Sequence, residues 1–280
     1  SFFQVKSTLN IHGNLWHLDE PKVMGILNVT PDSFYAGSRV QEEEQLLLLA
    51  QQMVKDGADI LDIGGYSTRP GAEDISPAQE IERVVSAIKF IKQALPNTLI
   101  SIDTFRSSVA TKAIEAGASL INDVSGGNLD PLMFETVAAL KVPYILMHMR
   151  GTPQTMKSLA QYANVVTEVY QELRAKLSQL HQLGVTDVII DPGFGFAKTI
   201  EHNFSLLKNL SYFQALGQPV LAGLSRKSMI YKTLDITPEN ALNGTTALHM
   251  IALQQGASLL RVHDVKAAKE CVLLHQRLNA

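Results

Sequence analysis

Val188-Ile189-Ile190-Asp191-Pro192-Gly193-Phe194-Gly195-Phe196 joins a run of branched apolar residues to a carboxylate, a proline and two glycines. An unbroken apolar run of this kind reads as a strand buried on both faces, as central strands of parallel sheets are. Proline and glycine stop the ladder, and glycine lets the main chain pass close to whatever lies above the strand end. Asp191 is therefore expected at the mouth of a core, with Phe196 beside it on the loop. Taken alone, an acid-capped strand-to-helix turn is the simpler reading. Repetition of the unit changes it.

Working outward, apolar runs alternate with stretches of helical period along the chain. Val23 to Leu27 precedes a helix over Glu42 to Lys55, Ala58 to Ile63 one over Pro77 to Leu95, and Thr98 to Ile102 one over Arg106 to Ala116. Leu120 to Asn122 precedes Pro131 to Leu140, Pro143 to Met147 precedes Leu159 to Leu183, and Asp187 to Ile190 precedes Ile200 to Leu210. Val220 to Ala222 and Ser258 to Leu260 supply two more strands, followed by helices over Pro238 to Gln255 and Val265 to Leu278. About eight such units predict an α/β fold of the TIM (β/α)8 barrel type. An open doubly wound sheet is the structural alternative, but no G-x-G-x-x-G follows the first strand. Ahead of the first unit, residues around His12-Gly13-Asn14 alternate apolar and polar and predict an N-terminal β-hairpin covering one end. The whole is expected to form one barrel domain, the hairpin occupying its first 20 or so residues.

The chain has 280 residues, 46% of them hydrophobic, enough to bury a large core. A net charge of -3 with scattered Lys and Arg gives no surface for nucleic acid or membrane, so any ligand charge must be met locally. A lone cysteine, Cys271, excludes an internal disulfide and fits a reducing compartment. The apolar runs are far too short to span a bilayer, and the expectation is a cytoplasmic protein. Ser1 in first place fits a segment trimmed from a longer polypeptide.

In a barrel of this type the chemistry sits where strands end, so those positions are read together. They are Asn28, Asp62, Asp103, Asn122-Asp123, His148, Asp191, Ser225-Arg226-Lys227 and Arg261-Val262-His263-Asp264. Any one could be a cap or a turn residue, and Asp123, Asp130 and Asp264 read that way. Asp62 either supports an anion-binding loop or satisfies backbone donors, and His148 either lines the site or packs behind it. Together they carry more polarity than caps require, unless a ligand or mutual pairing satisfies them. Asp103, Asn122 and Asp191 suit a flat heterocycle, because a carboxylate accepts two parallel N–H bonds while an amide both donates and accepts. Lys227 adds a donor. Arg69, Arg261 and His263, with Asn28, Thr68 and Ser67, make an anion site on neighbouring strands, and diphosphate is its natural guest. The loops Asn28 to Phe34 and Ser67 to Ala72 have the mixed proline, glycine and hydroxyl composition of lids, with ordinary surface loops as the competing view. Gly193 to Thr199 only faintly resembles a phosphate-binding loop, with Ala197 in place of the second glycine, and is rejected. The histidines show no paired ligand spacing for zinc.

With these residues in place the chain closely resembles the dihydropteroate synthase family, from about Val23 to Val265. The matching strings are NVTPDSF from Asn28, GYSTRPGA from Gly65, SIDT from Ser101, NDVSGG from Asn122, LMHMRGTPQTM from Leu146, DPGFGF from Asp191, GLSRKS from Gly223 and RVHDV from Arg261. The resemblance implies a barrel that condenses a dihydropterin carrying a hydroxymethyl diphosphate with p-aminobenzoate, releasing diphosphate and giving dihydropteroate. It implies that Asp103, Asn122, Asp191 and Lys227 hold the pterin, with Met147 packed on the ring. It implies that Asn28, Thr68, Arg69, Arg261 and His263 hold the diphosphate, Asn28 also meeting Mg2+. Phe34, Thr68, Pro70, Phe196, Lys227 and Ser228 would frame the aminobenzoate, and the protein would be a homodimer. Tyr66 departs from the acidic or amide residue usual before Ser-Thr-Arg-Pro-Gly, and Ala197 from a common glycine.

The expected reaction is a displacement at the exocyclic methylene in which diphosphate leaves early. Arg69, Arg261, His263 and magnesium would meet its growing charge, and Asp103 the cation left on the pterin. A pterin-binding methyltransferase barrel working with a corrinoid partner is the alternative, though it has no use for a diphosphate site. A non-enzymatic pterin-binding module is a third reading, tied to what Tyr66 does to its loop.

Overall fold

The computed structural model describes residues 4–29, 39–67 and 74–280. A two-stranded hairpin opens it, β1 (Thr8–Ile11) against β2 (Asn14–His17). His12 and Gly13 take φ of 52° and 82° at its tip, the two positive values that a tight hairpin turn demands.

Eight parallel strands follow: β3 (Lys22–Asn28), β4 (Ile60–Gly64), β5 (Leu99–Asp103), β6 (Leu120–Asp123), β7 (Tyr144–Met147), β8 (Val188–Asp191), β9 (Leu221–Ala222) and β10 (Leu259–Val262). They are hydrogen-bonded in the order β8-β7-β6-β5-β4-β3-β10-β9. A parallel bridge between Ile190 and Val220, with Ile190 N donating to Pro219 O at 2.8 Å, joins β8 to β9 and closes the ring. The helices between them are α1 (Arg39–Lys55), α2 (Pro77–Ala94), α3 (Ser107–Ala116), α4 (Met133–Leu140), α5 (Val165–Gln182), α6 (Ile200–Lys208), α7 (Ser228–Leu234), α8 (Leu242–Gln254) and α9 (Val265–Leu278). Among the described residues no helix is long and apolar enough to cross a membrane.

Local chemistry explains the boundaries. Ser76 and Gln79 form a reciprocal capping box ahead of α2, with Pro77 in the first turn, and Thr199 with His202 does the same for α6. Three elements differ from the sequence reading, the first being the helix expected over Leu159 to Leu183, which begins only at Val165, where the Asn164 side chain caps it. Helix α7 is absent from that reading because seven residues after a two-residue strand show no period. The expected helix over Pro238 to Gln255 is a short 3-10 turn, Pro238–Asn240, and then α8, with Ala241 between them.

Strand residues alternate between two cores. Outward side chains such as Leu61, Ile63, Ile100, Ile102 and Val188 pack against the helices. Inward ones at the strand starts, Met24, Ile60, Leu120, Ile145, Ile189, Leu221 and Leu259, form a second core with Leu9 and Ile11 of the hairpin. The hairpin therefore plugs the end of the barrel where the strands begin, and Lys6 Nζ ties its approach to Asp187 at 2.8 Å. Only the opposite end is left to receive a ligand.

Candidate active site

Two residues further along four of these strands, the inward position turns polar. Ile60 gives way to Asp62, Leu120 to Asn122, Ile189 to Asp191 and Leu259 to Arg261, while Ile145 gives way to Met147. Register then sets Asp103 beside Asn122 and Met147 beside Asp191. The apolar floor supports these groups and keeps water from below.

Asp62 is the hub of this layer. It is buried and accepts from Ser101 Oγ at 2.6 Å, Asn122 Nδ2 at 3.0 Å and Arg261 Nε at 2.7 Å. Arg261 also donates from Nη2 to Asp103 Oδ2 at 3.2 Å, so one guanidinium bridges two carboxylates. Burial, and then the charge of Asp62, push the Asp103 carboxyl up to about 8, with Arg261 pulling the other way. Burial works against the charge on Arg261, but Asp62 and Asp103 outweigh it and hold its pKa above the usual value. Asn122 spends its amide nitrogen on Asp62 and leaves a buried Oδ1 with no partner. An orphaned buried acceptor of this kind is uncommon, and a ligand N–H would satisfy it.

Asp191 is buried across the mouth. Its Oδ1 accepts from Gly193 N at 2.9 Å, and its main-chain oxygen from His148 N at 2.9 Å. Burial raises its pKa, opposed by Lys227. Burial likewise lowers Lys227 to about 8, opposed by Asp191. Lys227 Nζ donates to Phe194 O at 2.5 Å and lies 5.0 Å from the centre of the Phe196 ring. Met147, Val124, Met149, Met156 and Ala197, with Phe196 against them, line one wall with apolar surface. The loop between Asp191 and this wall is tightly set. A Cβ on Gly193 (φ 78°) would lie 2.0 Å from His148 O, and Ala197 sits at φ 55°, where an L-residue pays about 1–2 kcal/mol.

On the other side of the mouth, Asn28 ends β3, half-buried and in register with Gly64. His263 follows β10 and is exposed at the rim, its Nδ1 2.8 Å from Ser225 Oγ. Ser225 Oγ also accepts from His263 N at 3.1 Å, and with its hydroxyl donating to Nδ1 the neutral ring keeps Nε2–H as an outward donor. Desolvation and then Arg261 lower its pKa, by less than full burial would because the residue is exposed.

Of the other expected residues, Ser228 opens α7 directly after Lys227. Phe34, Thr68, Arg69 and Pro70 lie outside the described residues. Tyr66 packs edge-on against Phe105 at 5.0 Å, with the Arg106 guanidinium 5.4 Å from its ring, so stacking holds the chain at this point. Asp130 does take the Ser107 amide at 2.7 Å and so caps α3 from outside, and Asp123 takes the amides of Ser125 and Gly127. Asp264 does not cap α9: it pairs with Arg226 at 2.7 Å and 3.0 Å. Among the described residues no group of three or more His, Cys, Asp or Glu could hold a metal ion. Asn28 offers one amide oxygen, which suits a cation that takes its other ligands from phosphate and water.

The hub role of Asp62, its partner Ser101, and Ser225 behind His263 were not assigned from sequence. Ser101 was within reach, since it stands two residues before Asp103 on the same face of β5.

Comparison with known proteins agrees with this geometry. The family model described as Pterin binding enzyme matches residues 24–263. Dihydropteroate synthase of Synechocystis sp. is 46% identical over 248 residues, covering 88% of this chain and 86% of that protein. Xanthomonas albilineans dihydropteroate synthase, solved with 4-aminobenzoic acid, superposes with a TM-score of 0.91 at 39% identity and 99% coverage of both chains. The same enzyme in complex with 7,8-dihydropteroate gives 0.87 at 38% identity, covering 98% of this chain and 99% of that one.

Proposed function

The chain belongs to the dihydropteroate synthase family of pterin-binding enzymes, and from that premise we propose that it joins 6-hydroxymethyl-7,8-dihydropterin diphosphate to p-aminobenzoate, giving 7,8-dihydropteroate and diphosphate. The observation that carries this reading is Arg261 bridging Asp62 and Asp103. That cation stands at the seam between a buried set of acids with an amide and the rim where Asn28 and His263 end their strands. A pterin bearing a diphosphate needs both environments, a few ångströms apart.

In this proposal Asp103, Asn122, Asp191 and Lys227 hold the pterin edge, Asn122 Oδ1 gaining the N–H partner it lacks, and Met147 packs on the ring face. Asn28, Arg261 and His263 bind the diphosphate, with Thr68 and Arg69 assigned there by resemblance alone. Phe196, Lys227 and Ser228 frame the arylamine, with Phe34, Thr68 and Pro70 again by resemblance. The C–O bond between the methylene and the diphosphate breaks first, its electron pair leaving with the diphosphate, the arylamine nitrogen then forms a C–N bond to the same carbon, and its proton passes to water. Arg261 and His263 stabilise charge building on the leaving group, and Asp103, whose proton would pass to water as positive charge develops beside it, stabilises the cationic pterin. The arylamine is already a nucleophile, and no strong base is needed. Mg2+ is proposed at Asn28, where it would neutralise diphosphate charge when bound.

A homodimer is proposed as well. Leu273, Leu274 and Leu278 of α9 and Ile251 of α8 are exposed apolar residues that a second copy could cover, which sedimentation would test. The function is tested by adding pterin diphosphate with and without p-aminobenzoate, in the absence of any corrinoid, and following free diphosphate. Release that depends on the arylamine and matches dihydropteroate formed is expected. Binding without release would replace the proposal with a pterin-binding module.

A further inference from the structure

Phe196 is placed by what happens to the peptide behind it. Ala197 stands at φ 55°, the left-handed region, without being glycine. Lys198 Nζ donates to Phe196 O at 2.8 Å, and Tyr162 OH donates to Ala197 O at 2.9 Å, so both carbonyls flanking the strained residue are held.

The two donors belong to one chain of neighbouring groups, which runs through His148, whose buried Nε2 has no hydrogen-bond partner. Lys198 Nζ lies 2.9 Å from His148 Nδ1, and His148 Nε2 lies 3.4 Å from Glu172 Oε2. Glu172 receives Arg150 Nε at 3.0 Å and Nη2 at 2.8 Å. The Arg150 guanidinium lies 4.0 Å from the centre of the Tyr162 ring, and Tyr162 returns to Ala197. Burial lowers both His148 and Lys198, to about 4 and about 7, so the ring nitrogen facing Lys198 is free to accept. None of these six residues is among those proposed to touch a substrate.

We infer that Lys198 and Tyr162 are positioning residues for the arylamine: they hold Ala197 in its left-handed conformation and so fix the Phe196 ring over Lys227. This rests on the function proposed above. The pterin side rests on His148 N on Asp191 O and on the close approach of Gly193 to His148 O, a carbonyl that Lys198 Nζ also reaches at 3.5 Å, so Tyr162→Phe, which leaves these contacts in place, is the change that acts on one substrate and spares the other. The argument also names its own rescue. Glycine adopts the left-handed conformation freely, so Ala197→Gly makes the two donors dispensable.

The experiment compares the unmodified protein, Tyr162→Phe, Lys198→Met, and each of these combined with Ala197→Gly. Steady-state kinetics and amide exchange over residues 193–198 are measured on all five. Tyr162→Phe deletes one oxygen and keeps the ring stack on Arg150, so it guards against a failure of Lys198→Met to fold. In both single variants the KM for p-aminobenzoate is expected to rise about tenfold and exchange to quicken about tenfold, and in Tyr162→Phe, which keeps Lys198 beside Asp191, kcat and the KM for pterin diphosphate are expected to change less than about threefold. Ala197→Gly is expected to recover most of both effects. Exchange over 193–198 that is unchanged in both single variants overturns the inference, as does a rise in both KM values in Tyr162→Phe that Ala197→Gly leaves in place. Turnover missing from every protein, the unmodified one included, with exchange behaving as expected, would sink the proposed function and leave the positioning role standing.

Discussion

Arg261 Nε lies 2.7 Å from Asp62 Oδ2, and the same carboxylate receives Ser101 and Asn122, so one buried acid orients the cation at the rim and the amide in the floor. Asp62→Ala would leave Arg261 half-paired and Asn122 without a partner in a desolvated layer. Removing one member of a buried pair costs about 3–5 kcal/mol. Urea denaturation is expected to show a loss in that range, and kcat/KM is expected to fall by about two orders of magnitude or more in any protein that still folds. Asp62→Asn, which keeps the volume, should lose less stability and most of the activity.

Asp103 links stability to pH. Its folded pKa is raised to about 8 from an ordinary 3.8, so the folded protein holds that proton more tightly than the unfolded chain. The stabilisation is fully present below about pH 4 and is lost as pH rises through about 8. Asp103→Asn carries no such ionisation. The melting temperature of the variant minus that of the unmodified protein is therefore expected to grow more positive between pH 5 and pH 8.5, roughly the window the shift spans. A difference that stays flat or becomes more negative across it would contradict the assigned environment, while activity at every pH is expected to be lower in the variant.

Gly193 and Gly13 both have positive φ, 78° and 82°, but differ in what surrounds them. A Cβ on Gly193 would lie 2.0 Å from His148 O, whereas one on Gly13 would meet nothing within 4 Å. Gly13→Ala is expected to cost about 1 kcal/mol from backbone strain alone. Gly193→Ala must also displace the Asp191 loop, so a cost of about 2–4 kcal/mol and a loss of pterin affinity are expected. Equal costs for the two in denaturation experiments would show that the loop yields freely.

The barrel was legible because its strands announce themselves: branched apolar runs such as Val188 to Ile190, each ending in a polar residue, recur with helices between. Helix α7 was not, since seven residues are too few to display a period. At the site, strand-end position alone pointed to Asp103, Asn122, Asp191, Lys227, Arg261 and His263. It could not show that Arg261 sits among the acids, because that bond spans 199 residues of sequence. Lys198 was set aside with a false phosphate-loop pattern, and its partner His148, 50 residues away, comes within reach only when β7 and β8 lie side by side. Ala197 in place of a common glycine is visible in the sequence, but what holds it at φ 55° is not.

The central claim is that buried acids at the mouth of the barrel bind a pterin. Calorimetric titration of Asp191→Ala with 6-hydroxymethyl-7,8-dihydropterin diphosphate tests it most directly, with inorganic diphosphate titrated into the same protein. Pterin diphosphate affinity is expected to fall about a hundredfold or more, the loss of a desolvated, charge-assisted contact, while diphosphate binding stays within about threefold of the unmodified protein. Unchanged pterin diphosphate affinity in a folded Asp191→Ala protein would contradict the account.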